Sequence, residues 1–118
     1  AQNVAEAVGR LQQALRANPG DIAMRVAYGS LELDVALQKS EPQRAALVRR
    51  AEAELRQAAE WLERQANPGD APLLAQTYFL LGEVASRGLN DAAKARALYE
   101  KALSADPQHP GSKRALGR

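Results

Sequence analysis

The sequence predicts an all-α protein, a stack of helix–turn–helix units with about five helices and a short C-terminal segment. Three observations carry this. Ala, Leu, Arg, Glu and Gln dominate the 118 residues and aromatics make up 4%, a balance that favours helix over sheet. Apolar residues recur at three- and four-residue intervals. Three similar breaks punctuate the chain: Asn18-Pro19-Gly20-Asp21, Asn67-Pro68-Gly69-Asp70 and Asp106-Pro107-Gln108-His109-Pro110. Proline cannot continue a helix, and it biases the residue before it away from helical angles.

The elements follow in order. The first helix, about 4–17, sets Val4, Ala7, Val8, Leu11, Ala14 and Leu15 on one face. After the first break Asp21 can cap a second helix, about 22–38, carrying Val26, Ala27, Leu31, Leu33, Val35 and Leu37. Ser40 with Gln43 reads as a capping box, with Pro42 in the first turn of a third helix over about 42–66. Its apolar stripe is Leu47, Val48, Ala51, Leu55, Ala58, Leu62 and Ala66, and Trp61 borders it. The opposite face carries Arg49, Glu52, Arg56, Glu60, Glu63 and Arg64. Glu52 with Arg56, and Glu60 with Arg64, stand at the spacing of helical ion pairs. Asp70 is placed to cap a fourth helix, about 71–86, with Leu73, Leu74, Tyr78, Phe79, Leu81 and Val84. Asn90 or Asp91 caps a fifth, about 92–105, with Ala95, Leu98, Tyr99, Ala102 and Leu103, and a short segment over 112–116 closes the chain.

Charge and cysteine content narrow the function classes. Sixteen basic and fourteen acidic residues nearly cancel, leaving +2, so charge implies neither a nucleic-acid partner nor a membrane surface. The absence of cysteine removes disulfides, thiol catalysis and thiolate metal sites, and leaves cytoplasm and periplasm equally open. No apolar run reaches membrane-spanning length. A chain beginning Ala1-Gln2-Asn3, with no signal segment, reads as a mature or truncated product.

Spacing then reveals a repeat. Ala95-x3-Tyr99-x2-Ala102-x4-Pro107 recurs as Ala7-x3-Leu11-x2-Ala14-x4-Pro19. Tyr78-x2-Leu81-Gly82 precedes the first of these, with Tyr28-Gly29 and Leu116-Gly117 in corresponding places. These residues resemble the tetratricopeptide repeat. The resemblance implies a right-handed α-α superhelix in which Gly29, Gly82, Ala95 and Ala102 allow close helix approach while Tyr28, Tyr78 and Tyr99 act as spacers. It divides the chain into a partial repeat at 1–18, an elongated one at 21–67, a regular one at 70–107 and the start of another at 108–118. Gly29 to Pro68 spans 39 residues against 25 from Gly82 to Pro107, so the middle unit departs from the pattern. The register predicts an array cut at both ends.

In such repeats the first helices line a concave groove that holds a peptide. By register that groove takes Val26, Ser30, Leu33 and Asp34 from the second helix, Gln76, Phe79, Glu83 and Arg87 from the fourth, and Arg114 from the last segment. Val26, Leu33 and Phe79 would supply apolar contact, with Arg87 and Arg114 as charged selectors. The family's chaperone-binding subgroup grips a terminal carboxylate with a Lys/Asn/Arg clamp. Val26 and Ser30 stand at the Lys and Asn positions, so that subgroup is not indicated.

Chemistry finds little support. His109 is the sole histidine, expected as an exposed turn residue. No nucleophile elbow, Walker-type loop or dinucleotide fingerprint is present. Glu52, Glu60 and Glu63 share a face with arginines and read as solvated surface. The expectation is therefore a non-enzymatic scaffold without metal or cofactor, binding a protein or peptide, within a larger bacterial assembly or biogenesis protein. Self-association through exposed end helices is the alternative, and an accessory domain of an enzyme the second.

Overall fold

Each proline break ends or opens a helix where the sequence places it. The computed structural model describes residues 2–118, of which 82% are helical and none is in a strand. The helices are α1 (Gln2–Ala17), α2 (Ile22–Leu37), α3 (Gln43–Gln65), α4 (Ala71–Glu83), α5 (Ala92–Ala105) and α6 (Pro110–Ala115). Each packs on its neighbours in the chain, most extensively α2 on α3 and α4 on α5. The result is an all-α stack of 35 × 33 × 21 Å.

The caps show how local chemistry sets the boundaries. Asp21 Oδ1 accepts from the Met24 N–H at 3.0 Å, and Asp91 Oδ1 accepts from Lys94 N–H at 3.0 Å. Both satisfy amides that the helix leaves unpaired at its start. Two expected caps are corrected. Asp70 makes no side-chain cap bond, because Asn67 accepts from Gly69 N–H at 2.9 Å and opens a single 3-10 turn, Pro68–Asp70, that leads into α4. The Ser40/Gln43 box does not form either. Pro42 itself occupies the cap of α3, which leaves Ser40 two residues upstream.

α4 also departs from expectation. Its α-helical geometry ends at Glu83 and widens into a π-helical turn, Val84–Gly88. Val84 and Ala85 are buried at 0% and 1% exposure, and the turn touches α2, α3 and α5 as well as α4. The gain from burying these side chains outweighs the poorer geometry of the wider turn.

The core lies along α3. Val48, Ala51, Leu55, Ala58 and Ala59 pack with Val26, Leu33 and Ala36 of α2 and with Leu80, Leu81 and Val84 of α4 and its π turn. Burying a Leu or Val side chain contributes about 1.5–3 kcal/mol, and Leu55 is fully enclosed. Two glycines set the helix spacing. A Cβ on Gly29 would stand 2.8 Å from Leu55 Cγ, and one on Gly82 would stand 2.5 Å from the Tyr99 ring. At both places the helices approach too closely for a larger residue to fit without a shift. Tyr28 and Tyr99 are buried beside them, and Tyr28 accepts from Gln12 at 3.0 Å.

Candidate functional site

Two residues of the expected concave face are buried. Val26 and Leu33 are 3% and 2% exposed and belong to the core. Their place on α2 faces helices that already cover them, so the reading of both as partner contacts is corrected. Ser30 is half-buried and Asp34 exposed. Phe79 is half-buried and packs internally, its ring centroid 5.7 Å from Tyr99 and 5.3 Å from His109. Gln76 lies 2.7 Å from His109 Nε2, and Glu83 accepts from the Tyr99 hydroxyl at 2.7 Å. Burial and that bond to Glu83 push the Tyr99 phenol up to about 12. Gln76, Arg87 and Arg114 remain exposed.

The expectation for His109 is also corrected. It is 8% exposed and serves as the N-cap of α6, its Nδ1 accepting from Ser112 N–H at 3.2 Å. Ser112 Oγ is 3.0 Å away, but Ser112 has no exposed surface. The pair caps the start of α6. Among the described residues no three His, Asp or Glu side chains cluster to hold a metal, and no helix is long and apolar enough to cross a membrane.

The structure does form a groove elsewhere, between α3 and α5 with α4 as its floor. Its volume is about 450 Å³. α3 contributes Glu52, Arg56, Ala59, Glu60, Glu63 and Arg64; α4 contributes Tyr78 and Leu81; α5 contributes Lys94, Leu98 and Lys101. The spacing explains the arrangement. Lys94, Leu98 and Lys101 are at i, i+4 and i+7, one side of a helix. Glu52, Arg56, Ala59 and Glu63 stand at i, i+4, i+7 and i+11, and so also share a side. Two smaller hollows extend the groove past Leu74 and Ala105 toward Pro68.

Its electrostatics are divided by position. At one end Glu52 is shared by two cations, Lys94 Nζ at 2.7 Å and Arg56 Nη2 at 3.3 Å. This is the expected helical pair of Glu52 with Arg56, extended across to α5. Glu60 and Arg64 make no such bridge among the described residues, contrary to the spacing. At the other end the Tyr78 hydroxyl donates to Glu63 at 2.8 Å, and Lys101 Nζ stands 5.4 Å from the Tyr78 ring centroid. Burial, followed by the bond to Glu63, pushes the Tyr78 phenol up to about 12. It stays protonated at physiological pH and works as a hydrogen-bond donor.

A second hollow of about 370 Å³ flanks the other side of α3. It is lined by Trp61, Gln57 and Ala58 together with Pro19, Gly20, Ile22 and Arg25, and it shares Glu60 and Arg64 with the first. Trp61 is 37% exposed, so it packs less than the apolar stripe implies. Of the groove residues, Glu52, Glu60, Glu63 and Arg64 were read from sequence only as a charged surface, and Tyr78 as a spacer. Lys94, Leu98 and Lys101 were missed as site residues, although their spacing marks a single side of α5. Comparison with protein-family models, with curated proteins and with solved structures found no match to this chain.

Proposed function

We propose that this chain is a tetratricopeptide-like scaffold that docks a protein or peptide segment, and that the segment lies in the α3–α4–α5 groove. The observation that carries this reading is the groove's composition. Half-buried Leu98 and Tyr78 offer apolar surface over a base of core Ala59 and Leu81, and charges of both signs rise along the walls. Binding pockets combine apolar lining with a few placed polar groups. Energetically dominant interface residues are enriched in Tyr, Trp and Arg, and here Tyr78, Arg64 and Trp61 stand on and beside the groove.

The groove suits a short segment with apolar side chains flanked by charged ones. Arg64 and Lys101 are offered to its carboxylates and Glu60 to a basic residue. The repeat reading draws support from the Gly82 and Tyr99 contact, from buried Ala95 and Ala102, and from helix ends at Pro19, Pro68 and Pro107. No catalytic role is assigned.

Panning a random peptide library against the immobilised chain tests the proposal. Selected peptides should lose at least about tenfold in affinity on Leu98→Asp or Lys101→Glu, near the loss of one hot-spot contact. Asp34→Lys, on the α2 face, should leave affinity unchanged. Loss on Asp34→Lys with full binding by the groove variants would reject the assignment.

A further inference from the structure

Trp61 is 37% exposed, one of two large apolar side chains that the described residues leave in water; Leu89 is the other. Trp61 does not stand alone. It lines the hollow of about 370 Å³ on the far side of α3, with Gln57, Pro19 and Ile22 around it. Arg25 fixes the walls of that hollow. Its Nε donates to the Pro19 carbonyl at 2.9 Å and its Nη1 reaches Glu54 at 3.6 Å, so one guanidinium ties the turn after α1 to α3.

Only the width of α3 separates this hollow from the groove. Trp61 and Glu63 lie two positions apart, about 200° around a helix of 3.6 residues per turn. They therefore face opposite ways, Glu63 into the groove and Trp61 into the hollow. Glu60 and Arg64, one turn apart, line both and form the crest between them. Both are exposed, and among the described residues neither makes a salt bridge. Of the cations around the two hollows, Arg25, Arg56 and Lys94 already pair with glutamates. Arg64 on the crest and Lys101 in the groove are left to meet an incoming carboxylate.

We propose that the segment docked in the groove continues over the α3 crest and sets a second apolar side chain against Trp61, so that the site takes an extended peptide with two apolar anchors and a carboxylate between them. This rests on the docking reading of the groove and narrows it. The crest sets the spacing. A helix is about 10–12 Å across with its side chains, and an extended chain advances about 3.3 Å per residue, so the anchors stand roughly three or four residues apart. The carboxylate between them meets Arg64. Two anchors on either side of a charged crest match the way interfaces concentrate affinity in a few aromatic and arginine contacts.

Trp61 is the only tryptophan of the chain, which supplies the reporter for the test. A random peptide library without tryptophan is panned against the full chain. Amide shifts and Trp61 fluorescence are then followed as a selected peptide is added. Shifts at Leu98 and Lys101 and a blue shift of the emission should appear together and saturate at the same concentration. Alanine in place of the peptide's second anchor should abolish the blue shift, keep the groove shifts and weaken binding about tenfold, near the loss of one hot-spot contact. Trp61→Ala and Arg64→Glu should each weaken binding of the intact peptide by a similar factor. Groove shifts without any change in emission overturn the second anchor and leave the groove reading standing. Selected peptides whose affinity rests on a single apolar residue, or Arg64→Glu binding as tightly as the wild type, overturn it equally. Peptides that move neither Leu98 nor Lys101 defeat the groove reading as well. The peptide scan uses the unaltered chain, so it decides the matter even if Trp61→Ala fails to fold.

Discussion

Replacing Glu32 with glutamine should stabilise the fold at pH 8 and change it little at pH 4.5. Glu32 is 3% exposed on α2. Its Oε2 lies 3.6 Å from Arg50 Nε, on a side chain that is 64% exposed, and its Oε1 has no hydrogen-bond partner. A buried carboxylate with one loose cation is poorly compensated as an ion. Burial is the leading cause that lifts its pKa from 4.5 to about 7, with Arg50 opposing and Glu54 adding to the rise. The raised value means that the folded state holds the proton more tightly than the unfolded chain. Below pH 4.5 both are protonated and nothing is lost. Between 4.5 and about 7 stability falls as pH rises, and above 7 the loss is complete. At about 1.4 kcal/mol per pH unit, the gap between 4.5 and about 7 corresponds to about 3 kcal/mol. Glutamine imitates the protonated form and removes this cost. For a chain of this size that is a rise of about 10 °C in Tm. Circular dichroism during urea and thermal denaturation at pH 4.5 and 8 measures it. An increment equal at both pH values, or a Glu32→Gln protein less stable than the wild type at pH 8, would refute the reasoning.

Two further predictions concern the fold. Gly82→Ala drives a Cβ to 2.5 Å from the Tyr99 ring, which is held by Glu83 and Phe79. The cost should be about 1–3 kcal/mol by urea denaturation. Asp21→Ala removes the acceptor for Met24 N–H and should cost about 0.5–2 kcal/mol, seen as a lower urea midpoint with an unchanged slope.

Much of the fold is legible because its signals are local. Proline at 19, 68 and 107 stops helices whatever surrounds it, and the apolar intervals of α3 mark the stripe that becomes the core. What escapes is set by neighbours distant in the chain. The π turn at Val84–Gly88 depends on packing against α2 and α3. Glu32 looks like any helical glutamate until α3 closes over it. His109 looks exposed between two prolines, yet α4 supplies Gln76 and Phe79 to enclose it. The site was partly visible in the same way. Register put Val26 and Leu33 on a binding face, but they are needed to cover α3. The groove's charges were visible, while its apolar lining exists only once Leu81 and Leu98 are brought beside Ala59.

The most direct test of a docking groove over α3, α4 and α5 is a chemical-shift map. Amide spectra of the labelled chain are recorded as a library-selected peptide is added. The largest changes should fall at Ala59, Glu63, Tyr78, Leu98 and Lys101. Changes centred on Ser30, Asp34, Arg87 and Arg114, with the groove amides unmoved, would contradict the account.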